Sequence, residues 1–234
     1  VSASQSSALG LPLVTGAQAG AADEAAVAAG DSWDGLLARA GGALARGVVE
    51  ELRARTGGVY GRRALVVVGK GDNGGDGWVA AARLRERGVA VTVLAVHGAG
   101  VETSDHTARA RGAWLSSGGR VVTDAVAYRD RWPRLGRHEL PDVAVDCVLG
   151  TGATGPPRDE AVAGVEVLRG LRAVAGIVAC DVPSGVDADT GAIADADLAV
   201  RADRTVTFGA AKRGLILHPG ATNAGHVEVA DLGP

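Results

Sequence analysis

Between Ala64 and Leu84 the chain reads ALVVVGKGDNGGDGWVAAARL, and no other stretch restricts the possible folds so tightly. A β-branched apolar run, Leu65 to Val68, stops at Gly69; five glycines fall within the nine residues 69–77; a helical pattern then starts at Trp78. Strand, backbone-exposing loop and helix N-terminus in direct succession form the opening unit of an α/β sheet. Such a loop leaves amide N–H groups free, lets another molecule approach without a Cβ in the way, and sets the positive end of a helix beside it. It suits an anion. Gly69, Gly71 and Gly74 satisfy G-x-G-x-x-G, a signal too weak to stand alone.

The neighbours narrow the choice. Asp72 and Asp76 lie in the same loop, and two carboxylates repel a phosphate unless a cation or a hydrogen-bond donor offsets them. A P-loop is excluded because no Gly-Lys-Ser/Thr follows; Lys70 precedes most of the glycines. An ordinary dinucleotide site fits poorly as well. The next strand, Val89 to Val96, ends at His97 and Gly98, where a ribose-binding acid is expected, and only Glu102 is near.

Residues 1–14 read as a flexible tail and 15–234 as one domain, since 234 residues at 47% hydrophobic composition suffice for one full core. Thr15 and Gln18 make a capping box opening a first helix that runs to Ala29. A second helix begins after Asp31 or Ser32, with Leu36, Leu37, Ala40, Leu44, Val48 and Leu52 on one stripe that ends at Gly57 and Gly58. Both are expected to dock on the sheet ahead of its first strand. Beyond the glycine loop, strands at 89–96, 121–123, 143–149 and 177–182 alternate with helical stretches, and 205–208 and 227–229 read as closing strands. Continuous apolar strands in a βαβα rhythm predict a doubly wound, mostly parallel α/β sandwich.

A net charge of −3 with no basic run longer than two residues argues against a nucleic-acid partner. No apolar run has the length of a membrane span, and the N-terminus lacks the layout of a secretion signal; a cytoplasmic protein is expected. Cys147 and Cys180 sit in apolar strands and read as small hydrophobes.

In a doubly wound sheet the ligand lies at the carboxyl ends of the strands. Three loops there carry unusual content: DNGGD at 72–76; GTGATG at 150–155, after Asp146; and DVPSG at 181–185, with Asp181 at a strand end. Asp146 and Asp181 each stand in an apolar run, where an unpaired carboxylate is costly to bury. A shared hard cation, for which Asn73, Asp146 and Ser184 supply amide, carboxylate and hydroxyl oxygens, resolves this. The alternative is that both aspartates cap their loops through backbone N–H groups. The five histidines make no ligand spacing and read as surface or structural, and Ser184 lies in P-S-G rather than a nucleophile elbow. Lys212, one of two lysines in the chain, reads equally as a site residue or a surface group.

Taken together, VVVGKGDNGGDGWVAAARL, VDCVLGTG, CDVPSGVDADTG and FGAAKRGL, in this order, resemble the YjeF N-terminal domain family, the NAD(P)H-hydrate epimerases, from Thr15 to Gly233. The resemblance implies a Rossmann-like three-layer α/β/α domain, often a homodimer, that interconverts the R and S forms of NADHX and NADPHX, the hydrated nicotinamide cofactors. An ADP- or ATP-dependent dehydratase, as a partner or a fused domain, then completes the repair. The implied substrate contacts are Asp72, Asn73, Gly74, Gly75 and Asp76, then Gly150, Thr151, Gly152, Ala153, Thr154, Gly155 and Pro156, and Asp181. The implied potassium ligands are Asn73, Asp146 and Ser184. Two departures stand out: Asp72, where the family usually has Asn, and AVHGAG at 95–100, which lacks a proline and a basic residue that some members carry.

Epimerising a hydroxylated carbon beside a ring nitrogen by loss and re-addition of water calls for an acid that later acts as a base, and a carboxyl with a raised pKa serves. Asp181 is the expected catalytic residue, with Asp76 in reserve. The competing expectation is a non-catalytic nucleotide-binding or dimeric scaffold module of the same fold.

Overall fold

The protein is described by a computed structural model covering residues 12–98 and 100–233. Its frame is a seven-stranded sheet whose ladders are all parallel: β2 (Arg63–Val68), β3 (Ala90–Ala95), β4 (Arg120–Val122), β5 (Val143–Cys147), β6 (Gly176–Cys180), β7 (Arg204–Phe208) and β9 (His226–Ala230), in the spatial order β4-β3-β2-β5-β6-β7-β9. A short separate ladder joins β1 (Leu13–Val14) to β8 (Ala211–Lys212). The helices are α1 (Gly16–Ala28), α2 (Trp33–Thr56), α3 (Asp72–Glu86), α4 (Asp105–Ser116), α5 (Ala125–Asp130), α6 (Glu160–Leu171) and α7 (Gly220–Ala224).

Because side chains alternate along a strand, each central strand feeds two cores. Val66, Val145 and Val178 pack with Leu44, Val48 and Leu52 of α2 and with Trp78 and Leu84 of α3. Leu65, Val67, Ala144 and Ile177 pack with Val165, Leu168 and Leu171 of α6 on the opposite face. This is the expected three-layer α/β/α sandwich. Leu44 and Leu52 are wholly buried, and truncating either to alanine removes about 2–5 kcal/mol of stability. The α2 stripe ends where Gly57, at φ 72°, takes the left-handed cap conformation. Among the described residues no helix is long and apolar enough to cross a membrane.

Three local expectations change. The tail 1–14 falls mainly on residues outside those described, but its last two residues, Leu13 and Val14, form a strand. The first helix has the expected capping box, Thr15 with Gln18, yet α1 buries no residue and does not dock on the sheet. Its apolar side chains, Val27 apart, are all alanine, too small to reach a core. Finally, the glycine stretch is not an extended loop: α3 begins at Asp72, directly after Gly71. Glycine recurs there because α3 is packed tightly. A Cβ on Gly74 would collide with the Gly69 carbonyl, and one on Gly77 with Val68 and Cys147.

Candidate active site

The strand order reverses between β2 and β5, the place where doubly wound sheets open a crevice. The two strand ends are drawn together by the Gly69 N–H donating to the Cys147 carbonyl at 2.9 Å. Over them lies a cavity of about 970 Å³. Asp72, Asn73 and Asp76 from the first turns of α3 line it, as do Asp181, Lys212 and the whole segment 150–156. Gln18, Ala19, Ala22 and Asp23 of α1 close another side. All three loops singled out in the sequence therefore converge. Gly74 and Gly75 do not line the cavity; they are buried below its rim, Gly75 against Leu37 and Thr107.

Asp181 follows β6 at φ 62°, a left-handed conformation that aspartate tolerates better than most residues. Its Oδ1 accepts from the Lys212 ammonium at 2.6 Å, the Thr207 hydroxyl at 2.9 Å and the Phe208 N–H at 3.4 Å. Among the described residues Oδ2 accepts no hydrogen bond, and Asp181 borders the cavity. Lys212 is 2% exposed and also donates to the Phe208 carbonyl at 2.9 Å. A surface placement for this lysine is thus wrong. The β1–β8 ladder turns it inward, and the carboxylate makes a buried ammonium tolerable.

Asp76 has the opposite environment. It is 7% exposed, and its nearest donor is the weak Cys180 thiol at 3.8 Å. Burial, reinforced by the charges of Asp181 and Asp72, holds its carboxyl well above the usual range. It lies at the foot of the cavity. One turn earlier, Asp72 Oδ1 accepts from Ser104 Oγ at 2.8 Å and meets His106 Nε2 at 2.7 Å, while Trp33 stacks on the imidazole at 5.5 Å. His97 and His106 line the cavity as well, so neither is a mere surface group.

Asp146 is fully buried. Its carboxylate accepts from the Ser184 N–H at 2.8 Å, the Ser184 hydroxyl at 2.7 Å and the Val148 N–H at 3.2 Å. Burial pushes its pKa up to about 6 against the pull of these bonds. The loops themselves are therefore its partner, and a cation is not needed to make its burial tolerable. Asp181 likewise has a lysine rather than a metal. Even so, the three oxygen-bearing residues are assembled. Asn73 Nδ2 donates to the Leu149 carbonyl at 2.8 Å, and the Leu149 N–H donates to Ser184 Oγ at 3.0 Å. With its amide nitrogen so engaged, Asn73 Oδ1 has no hydrogen bond among the described residues. An all-oxygen set joined through the backbone of Leu149 suits a hard cation, and among the described residues no group of three or more His, Cys, Asp or Glu side chains is placed to hold a metal.

Lys212, His106 and Asp23 were the residues of this site least visible beforehand. The scarcity of lysine was the one signal for Lys212; Asp23 had none, standing in an alanine-rich helix without an apolar stripe.

Comparison with known proteins identifies the family and the fold. Residues 34–214 match the family described as YjeF-related protein N-terminus. A bifunctional NAD(P)H-hydrate repair enzyme, Nnr, of Mycobacterium tuberculosis is 40% identical over 200 residues, which are 85% of this chain and 37% of that protein. The chain thus spans well under half the length of that relative. An NAD(P)H-hydrate epimerase of Clavibacter michiganensis is 38% identical over 174 residues, 72% of each chain. The crystal structure of the yeast protein ynu0, YNL200c, superposes with a TM-score of 0.75 at 23% identity, covering 94% of this chain and 87% of that one; it shows the fold.

Proposed function

This chain belongs to the YjeF-related N-terminal family, and from that premise we propose that it is an isomerase interconverting the R and S forms of hydrated NADH and NADPH. The observation that carries the reading is the presence in one cavity of a carboxyl whose pKa burial raises, Asp76, and a carboxylate held against a buried ammonium, Asp181. Relatives named as epimerase and repair enzyme supply the substrate class.

The chemistry follows from these two environments. The ring-nitrogen lone pair assists cleavage of the adjacent C–O bond, and the departing hydroxide takes a proton from the Asp76–Asp181 pair and leaves as water. The same pair takes a proton back when water adds on its side of the ring. Lys212 keeps Oδ1 of Asp181 occupied, so Oδ2 is the oxygen offered to the substrate. The first-turn amides of α3 and the segment 150–156 hold the diphosphate. The cavity walls limit competing access of bulk water.

Asn73, Asp146 and Ser184 would hold potassium. Bound there, it would supply fixed positive charge beside the diphosphate, offsetting Asp72. In the metabolic sequence a dehydratase, as a fused domain or separate protein, consumes the S form.

The test is to give the purified protein R-enriched NADHX and follow conversion to the S form, in potassium and with potassium replaced by sodium. The reading expects conversion far above the spontaneous rate and a slower rate in sodium. Conversion no faster than in buffer would overturn it, and equal rates in both salts would remove potassium alone.

A further inference from the structure

Epimerisation moves a hydroxyl from one face of a ring to the other, so protons must be exchanged on both faces. Asp76 and Asp181 both rise from the sheet: one from the first turns of α3, the other from the end of β6. Both line the cavity from the sheet side. The wall contributed by α1 has a different origin, and it carries a carboxyl of its own.

Three observations single out that carboxyl. First, α1 buries no residue; Gln18, Ala19, Ala22 and Asp23, spaced along one face, line the cavity instead of a core. Second, the helix is fixed at its beginning. Leu13 and Val14 pair with Ala211 and Lys212, and the Gly16 N–H donates to Asp189 Oδ1 at 2.6 Å. The helix is therefore tied to the strand that bears the buried lysine. Third, Asp23 makes no hydrogen bond or ion pair among the described residues, although it is half-buried. Desolvation raises its pKa, and the charges it feels are those of Lys212, Asp181 and Asp72. A carboxyl with no hydrogen-bond or ion-pair partner among the described residues, carried to the cavity by a helix with no core, has no role in holding the fold together.

We infer that Asp23 is a second catalytic acid–base, exchanging the proton on the face of the ring turned toward α1. The inference rests on the epimerase reading above. In one direction the C–O bond breaks on the sheet side, the oxygen departs as water with a proton from the Asp76–Asp181 pair, and the nitrogen lone pair forms the C=N bond of an iminium ion. Water then adds to that carbon from the α1 side. The C=N pair returns to nitrogen, and the water proton passes to Asp23. The net change is one proton moved from the sheet side to Asp23, which solvent or a reverse turnover restores. In the other direction Asp23 is the donor.

The experiment is to supply one epimer in H₂¹⁸O and measure two rates: inversion, and incorporation of label with retained configuration. Wild-type protein should do both. Asp23→Asn should lose inversion about 100-fold or more, with KM within about threefold, while label still enters with retention because the sheet-side pair is intact. Continued exchange also shows that the variant is folded. Inversion at wild-type rate in Asp23→Asn would overturn the inference, and so would equal loss of both rates, which marks a structural role. Wild-type protein that neither inverts nor exchanges would sink the epimerase reading itself, and this inference with it.

Discussion

Asp146 stands inside β5 and Asp181 directly after β6, the adjacent strand, so the same side chain meets the same rim of the sheet twice. Asp146 is sealed in, and three donors from its own loops occupy it. Asp181 borders the cavity, and its donors crowd onto one oxygen, led by a lysine. The difference lies in what is left over. Neutral donors spread over both oxygens of Asp146 turn it into a brace for two loops, whereas the donors of Asp181 leave Oδ2 without a hydrogen bond among the described residues. Location at a strand end does not separate a carboxyl that is fully engaged from one that keeps an oxygen in reserve; the distribution of donors between the two oxygens does.

The sharpest way to break that contrast is Asp181→Asn. It should lower epimerisation about 100- to 10,000-fold and also cost about 3–5 kcal/mol in urea unfolding, because it leaves the buried Lys212 without its carboxylate. Adding Lys212→Met should recover most of the stability and none of the turnover. A single variant as stable as wild type would mean that the ion pair does not support the fold. Asp146→Asn should have a smaller effect, about 1–3 kcal/mol of stability from weakened bonds to Ser184 and Val148. It should also raise the potassium concentration needed for half-maximal rate. Loss of stability alone would make Asp146 a brace and nothing more.

The least effect belongs to pH. The native Asp76 carboxyl keeps a proton that the unfolded chain gives up above about pH 4. Stability therefore falls as pH rises through that window, until the native carboxyl also ionises. Asp76→Asn should flatten the fall in stability that denaturation curves show as pH rises above about 4. An unchanged slope would place the proton elsewhere.

The frame was legible because uninterrupted apolar runs such as Leu65–Val68 leave a strand buried on both faces as the natural reading. The convergence of Asp72–Asp76, 150–155 and Asp181 followed from that topology; Pro156 was added by the family resemblance. Other features were hidden for physical reasons. Glycine in DNGGD suggested open backbone, yet Gly74 and Gly77 serve contact between α3 and the strand ends, and glycine's identity does not distinguish the two. The partner of Asp181 lies 31 residues downstream on a two-residue strand, too short for any pattern. For α1, a correctly read capping box fixed where the helix starts but not what it faces. The missing apolar stripe was the available sign that it would not pack on the sheet.

The two-residue ladder between β1 and β8 ties the entry of α1 to the strand that carries Lys212. One wall of the cavity and the ammonium clasped by Asp181 therefore share a backbone anchor. A chain shortened to begin at Gly16 would retain the described core, which starts at Leu36, yet lose that anchor.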